Sequence, residues 1–132
     1  MFKKFVLLFV IQLFIVNHSI SMEKETTFNK KLFDKAQSEG KVVIVSSWIK
    51  YCSSCASQMK FLNKAKNDGK LFDIKFDNIE YFSFDVTNKD IANLLNVKFQ
   101  TTLLIFKNNN EIYRSLGETT EDLIYEALKK SI

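Results

Sequence analysis

The sequence predicts an α/β fold in which a central mixed β-sheet is flanked by helices. Three observations lead there. From Thr26 onward, helix-period and strand-like segments alternate in the order α-β-α-β-α-β-β-α. Two of the strand-like runs, "KVVIVSSW" and "TTLLIFK", are continuously apolar at their centres, as strands covered on both faces are. The last two strand-like runs are joined by a short polar turn, which sets one antiparallel pair in the sheet.

The elements follow in order. "TTFNKKLFDKAQSEG" places Phe28, Leu32, Phe33 and Ala36 on one helical face, with Gly40 as its C-terminal stop. "KVVIVSSW" is the central strand. A second helix runs from Cys52 to about Asn67, with Cys55, Ala56, Met59 and Leu62 as its inner stripe, Lys60 and Lys64 outward, and Gly69 at its end. "KLFDIKFDN" reads as a loop or a short helical turn. "IEYFSFDV" alternates, putting Phe82, Phe84 and Val86 on one side of a strand. Asn88 caps a short helix that reaches Leu95. After "TTLLIFK", the asparagines at 108–110 make a turn, because asparagine tolerates the left-handed conformation, and "EIYRSL" returns antiparallel. Gly117 and Thr119 introduce a last helix with the stripe Leu123, Ile124, Ala127 and Leu128. No internal repeat or linker interrupts this single domain.

Ahead of it, "MFKKFVLLFVIQLFIVNHSISM" opens with Lys3 and Lys4 and is apolar from Phe5 to Val16 apart from Gln12. Twelve helical residues span about 18 Å, short of a hydrocarbon core of about 30 Å. Ser19 and Ser21 sit at the −3 and −1 positions of a cleavage site. The segment therefore reads as a signal peptide, residues 1–21, cut after Ser21, leaving a domain over 22–132. Its alternative is an uncleaved anchor, which would be the chain's one contact with a membrane. Either way the domain is expected to be exported, into a bacterial periplasm, where cysteines meet an oxidising compartment.

The charge balance excludes one class of function. The whole chain carries +4, and losing the two lysines of the first 21 residues leaves 17 basic against 15 acidic groups, or +2. These charges are interspersed, without a Lys/Arg block among aromatics, so nucleic acid is not an expected partner. The sole histidine, His18, lies in the segment to be removed, and the chain has no proline.

Chemistry concentrates in "WIKYCSSCASQ", which holds both cysteines, Cys52 and Cys55. A closed zinc site wants four Cys or His ligands, and the mature chain supplies two. A cysteine-protease site lacks its histidine base. Three readings stay open: a two-thiolate copper(I) site, a structural disulfide closing a very short loop, and a dithiol/disulfide couple. The setting favours the last. Cys52 would stand at a helix N-terminus, where the dipole favours an anion by about 0.3–2 kcal/mol, with Lys50 adding positive charge. Cys55, one turn further on the apolar stripe, would be buried and reached mainly by Cys52. An exposed thiolate that attacks a disulfide and a buried thiol that resolves the mixed disulfide are what exchange requires.

From about Phe28 to the C-terminus the chain resembles the thioredoxin family. Trp48 stands where that family has a tryptophan ahead of its motif, and Cys-Ser-Ser-Cys replaces the usual Cys-Gly-Pro-Cys. "NVKFQTTLLIFKNNNEI" resembles the stretch around the family's cis-proline. "FDVTNKDIANLLNV" is similar to the C-terminal periplasmic domain of the transmembrane disulfide reductase. The resemblance implies the thioredoxin fold, Cys52 as nucleophile, Cys55 as resolving thiol, and Trp48, Lys50, Gln100 and Thr101 around a substrate groove. It implies no cofactor and no metal. Its partners would be protein disulfides or dithiols and a redox partner protein; the chain is read as a reductant, with an oxidant or isomerase as the alternative within the class, since Ser53-Ser54 does not set the direction. Three positions depart from the family. Its buried aspartate falls at Ser46, the proline between the cysteines at Ser54, and the cis-proline at Thr101. A cis bond before threonine is disfavoured by about 2.5–4 kcal/mol, so Gln100–Thr101 is expected to be trans, with the Thr101 hydroxyl near Cys52. The rival reading, a thioredoxin-fold binding module or copper(I) carrier with little exchange activity, draws on these same departures.

Overall fold

The computed structural model describes residues 24–132; the expected signal segment lies outside them. Ten elements follow Lys24: α1 (Lys30–Ser38), β1 (Val42–Trp48), α2 (Ser53–Asp68), β2 (Lys70–Leu71), β3 (Ile74–Lys75), β4 (Ile79–Asp85), α3 (Lys89–Leu94), β5 (Thr102–Lys107), β6 (Asn110–Leu116) and α4 (Glu121–Ser131). The main sheet has the order β4-β1-β5-β6. Strand β1 runs parallel to β4 and antiparallel to β5, and β5 is antiparallel to β6, so the sheet is mixed.

The apolar run of β1 has the place its composition demands. It is paired on both edges and covered on both faces, with Val43, Ile44 and Val45 fully buried. Alternation then sorts the core into two layers. Val42, Ile44, Tyr81, Leu103 and Ile105 pack with Leu62 and Ala65 of α2 and Ile124, Ala127 and Leu128 of α4. Val43, Val45, Phe82, Phe84 and Leu104 pack with Phe33 and Ala36 of α1 and Ala92 of α3. Helices therefore cover both faces of the sheet, as expected.

The differences in detail have local causes. Asn29 caps α1 by accepting from the Leu32 amide, so Phe28 precedes the helix. It is nevertheless buried, while Leu32 is exposed. On α4, Leu123 is likewise exposed, and the stripe narrows to Ile124, Ala127 and Leu128. On α2, Ala56 is only half-buried, and Gln58 and Ala65 join Cys55, Met59 and Leu62 inside. "KLFDIKFDN" is neither loop nor helical turn but a minimal antiparallel hairpin, β2–β3, pairing Leu71 with Ile74. Asn88 does cap α3. Asn108 and Asn109, at φ 52° and 62°, make the β5–β6 turn in the left-handed region that hairpins favour.

The segment ahead of α1 seals the edge strand. The Thr27 and Phe28 amides both donate to the Ser83 carbonyl. The Ser83 hydroxyl donates to the Glu25 carbonyl at 2.6 Å, and Trp48 Nε1 donates to the same oxygen at 3.2 Å. An otherwise open row of β4 groups is thereby partly covered.

Candidate active site

Strand β1 ends at Trp48, and the chain turns through Ile49, Lys50 and Tyr51 into α2. Tyr51 takes a positive φ of 62°, unusual for a bulky residue, which brings Cys52 to the N-cap of α2. The Cys52 sulfur accepts from the Cys55 amide at 3.2 Å. It therefore occupies the place of a capping oxygen, at the positive end of the helix, a position that favours the thiolate. Cys55 lies one turn on, joined to Cys52 as a disulfide with the Cα atoms 5.3 Å apart. Cys52 is half-exposed, whereas Cys55 is fully buried. The asymmetry expected from the sequence is present.

Thr101 faces this pair from the loop before β5. Its Oγ1 is 3.2 Å from Cys55 Sγ, 3.6 Å from Cys52 Sγ and 3.1 Å from the Ser54 hydroxyl, which is itself 3.3 Å from Cys52 Sγ. The sequence placed this hydroxyl near Cys52; the structure puts it nearer Cys55. No peptide bond among the described residues is cis, so Gln100–Thr101 is trans as expected. Its backbone compensates with a φ of 60° at Thr101, a conformation a β-branched residue rarely adopts. The loop is pinned from several sides. The Thr101 amide donates to the Ser47 carbonyl at 2.8 Å, and the Gly117 amide donates to the Thr101 carbonyl at 3.1 Å. The Ser47 hydroxyl donates to the Phe99 carbonyl and accepts from the Thr102 amide.

The family to which this arrangement belongs is decided by the sequence pattern of the family Thioredoxin, which matches residues 19–130. The chain belongs to the thioredoxin family. A curated relative, the thioredoxin H-type of Fagopyrum esculentum, is 24% identical over 75% of this chain and 79% of its own length. Trxlp of Edwardsiella tarda superposes with a TM-score of 0.64 at 23% identity, covering 75% of this chain and 92% of the other. The thioredoxin of Fasciola hepatica gives a TM-score of 0.60 at 21% identity, over 77% and 89% of the two chains. A thioredoxin domain with a paired Cys-x-x-Cys at this position is a thiol–disulfide oxidoreductase.

The other expected site residues are distributed unevenly around the thioredoxin disulfide. Trp48 is half-buried at the end of β1, held through its indole to Glu25. Lys50 is exposed, and its ammonium lies 5.1 Å from the Tyr51 ring centroid. It forms a cation–π contact there, and the charge expected beside the sulfurs is directed onto an exposed aromatic instead. Gln100 is exposed on the loop before Thr101. Ser46 is fully buried on the sheet face that α2 covers, where its hydroxyl is 2.6 Å from the Tyr81 hydroxyl. Burial pushes the Tyr81 phenol up, while its hydrogen bond with Ser46 pulls it partly back. Where the family carries an aspartate, this chain has a neutral hydroxyl pair.

Two participants, Ser54 and Ser47, and one buried neighbour, Gln58, escape the sequence reading. Ser54 appeared only as a lost proline, yet it bridges Thr101 and Cys52. Ser47, which pins the Thr101 loop, was hidden in an apolar run, where two consecutive serines were the available signal. Gln58 sits fully buried one turn beyond Cys55, with both amide atoms unpartnered. Nothing in its helical spacing marked it as inward beyond its place between Cys55 and Leu62.

Proposed function

We propose that this thioredoxin-family protein is an exported reductant of partner-protein disulfides. Cys52 is its nucleophile and Cys55 its resolving thiol. The observation that carries the assignment is the unequal setting of the two sulfurs. The half-exposed Cys52 sulfur takes the N-cap position of α2 and accepts the Cys55 amide, while Cys55 is buried. Once the disulfide is reduced, the N-cap position favours a thiolate at Cys52, the form that attacks a partner's disulfide. Cys55 then displaces the partner from the mixed disulfide and restores the Cys52–Cys55 bond. Trp48, Gln100 and Thr101 frame the groove in which a partner segment is held.

Export is supported by the lysine-led apolar segment ending in Ser19-Ile20-Ser21. Cleavage after Ser21 would leave Glu25, Thr27 and Phe28 in place, so every contact that seals β4 and holds Trp48 would survive processing. The destination proposed is a bacterial periplasm.

Trapping tests the assignment of roles. Cys55→Ser should accumulate mixed disulfides with partner proteins in the compartment where the chain resides, and Cys52→Ser should not. In the reduced protein Cys52 should also alkylate faster than Cys55. Trapping by the Cys52→Ser variant, or equal alkylation of the two thiols, would reverse or abolish the assignment.

A further inference from the structure

We propose that Thr101 and Ser54 form a two-hydroxyl relay that carries the Cys55 proton toward the departing partner thiolate during resolution. This rests on the reading of Cys52 as nucleophile and Cys55 as resolving thiol. The problem the relay solves is plain from the site. Cys55 is fully buried and must lose a proton before it can attack. Among the described residues no carboxylate is hydrogen-bonded to either sulfur, and the site of the family's aspartate holds Ser46, engaged with Tyr81. The Cys55 sulfur is instead 3.2 Å from the Thr101 hydroxyl.

From there the path continues outward. Thr101 Oγ1 lies 3.1 Å from Ser54 Oγ, and Ser54 Oγ lies 3.3 Å from Cys52 Sγ, the atom from which the partner sulfur departs. Accessibility rises along the way, from buried Cys55 and Thr101 to half-exposed Ser54 and Cys52. A hydroxyl has one proton to give and two lone pairs to receive with, so each can accept on one side while donating on the other. Neither has to hold a charge.

The step balances without an added reactant. The Cys55 S–H bond breaks, its proton passing to Thr101 Oγ1 and its electron pair forming the bond to Cys52 Sγ. Thr101 passes its own proton to Ser54, and Ser54 passes its proton to the partner sulfur. That sulfur leaves Cys52 with the electron pair of the mixed disulfide and becomes a thiol. Counted over attack by Cys52 and resolution by Cys55 together, the two cysteines are oxidised by two electrons and the partner disulfide is reduced by two.

The backbone supplies an independent observation. Thr101 is kept at a φ of 60°, which a β-branched side chain disfavours, by hydrogen bonds to Ser47 and from Gly117. A disfavoured conformation fixed by its surroundings at a reactive site is where a functional constraint is to be sought. Here it presents one hydroxyl to both sulfurs.

The test is single-turnover reduction of a peptide disulfide by the reduced protein. Trp48 fluorescence would report the time course, and acid-quenched mass spectrometry would count mixed disulfide. Mixed-disulfide formation depends on peptide concentration and resolution does not, so the two steps separate. General acid–base transfer contributes about 10²–10⁴-fold, part of which water can supply, so Thr101→Val should slow resolution by about tenfold or more. Thr101 also frames the groove and lies 3.6 Å from Cys52 Sγ, so formation is measured in the same traces and the relay is read from the concentration-independent resolution phase alone. Thr101→Ser should restore resolution. Ser54→Ala, on a half-exposed helical position, should slow the same step without touching the strained residue, and the Thr101→Val/Ser54→Ala double variant should be no slower than Thr101→Val. Resolution in the wild type should slow in deuterium oxide with a curved proton inventory, and Thr101→Val should lose that curvature. If folded Thr101→Val resolves at the wild-type rate, or if Thr101→Ser fails to rescue it, the relay is wrong while exchange stands. If the wild type forms no mixed disulfide at Cys52, the exchange reading itself falls, and the relay with it.

Discussion

Ser46→Asp restores the family's carboxylate at a site this chain has made neutral, and the structure sets its consequences. Ser46 is fully buried, and its hydroxyl is hydrogen-bonded to that of Tyr81 at 2.6 Å. Desolvation of a carboxylate there raises its pKa by up to about 3–5 units. A hydrogen bond donated by Tyr81 favours the charged form by about 1.5–3 kcal/mol, or roughly 1–2 units at 1.36 kcal/mol each. The net is a rise of about 2 units, from about 3.9 in the unfolded chain to about 6 in the folded one. Because the folded value is the higher, both states are protonated below pH 4 and the substitution carries no pH-dependent penalty there. Between about pH 4 and 6 the unfolded chain ionises first, and stability relative to the parent falls. Above about pH 6 the deficit levels off at roughly 3 kcal/mol.

Urea unfolding of the oxidised parent and variant at unit steps from pH 4 to 7 measures this directly. With m-values of about 1–3 kcal/mol/M, the midpoint should drop by about 1–3 M between the ends of that range, at unchanged m. A pH-independent difference would refute the reasoning, because it would mean that the new carboxylate reaches water. The kinetic arm is separate. Since the Cys55 sulfur is hydrogen-bonded to Thr101, the aspartate should not accelerate resolution. A faster resolution phase in Ser46→Asp would show that proton transfer runs toward the sheet and not along the hydroxyls.

Gln58→Met should stabilise the fold by about 1–3 kcal/mol, because it removes a fully buried amide with both polar atoms unpartnered. Thermal melting would show it, and a lower melting temperature would mean that the amide is satisfied by internal water. Burial raises the Tyr81 phenol above its unfolded value of about 10, so stability should fall as pH climbs past 10, where only the unfolded chain ionises. Tyr81→Phe should flatten that alkaline limb in denaturant titrations, and a limb of unchanged slope would assign it to other groups. Intact-mass measurement of exported protein should give a chain starting at Met22; a chain that keeps Met1 and sediments with membranes would establish the anchor.

How far each feature could be read depended on the scale of the interaction that fixes it. The apolar run of β1 announces a strand buried on both faces, because six consecutive buried positions admit few other settings. Asn88 and the 108–110 turn were legible for the same local reason: one side chain or two backbone angles decide them. The β2–β3 hairpin was not, since strands of two residues leave no period to detect. Leu32 and Leu123 misled because helical spacing gives a face and not its width. Tertiary contacts set that width, and they leave both leucines exposed. At the site, the cysteine spacing and the helix N-terminus were local and readable, but the contacts of Thr101 with Ser54 and Cys55 span more than forty residues of sequence.

That long-range contact bears on why the prolines are missing. A chain without proline invites the view that Ser54 and Thr101 are independent replacements drifting in a biased composition. Independence, however, has an energetic consequence at a buried site. A threonine hydroxyl facing a proline ring at position 54 would lose the Ser54 partner it has at 3.1 Å, and a serine facing a proline at position 101 would lose the same bond. The buried Thr101 hydroxyl would keep only its sulfur contacts and the half-exposed Ser54 only Cys52, so each loss falls at the lower end of the about 1–3 kcal/mol that a buried polar group without any partner costs. Together the two hydroxyls satisfy one another and the sulfurs, so each substitution is more easily accommodated in the presence of the other. The pair should therefore be coupled in stability: Thr101→Val and Ser54→Ala should each destabilise, and the double variant should fall short of their sum by about 0.5–3 kcal/mol. Strict additivity in urea unfolding would return the two positions to drift.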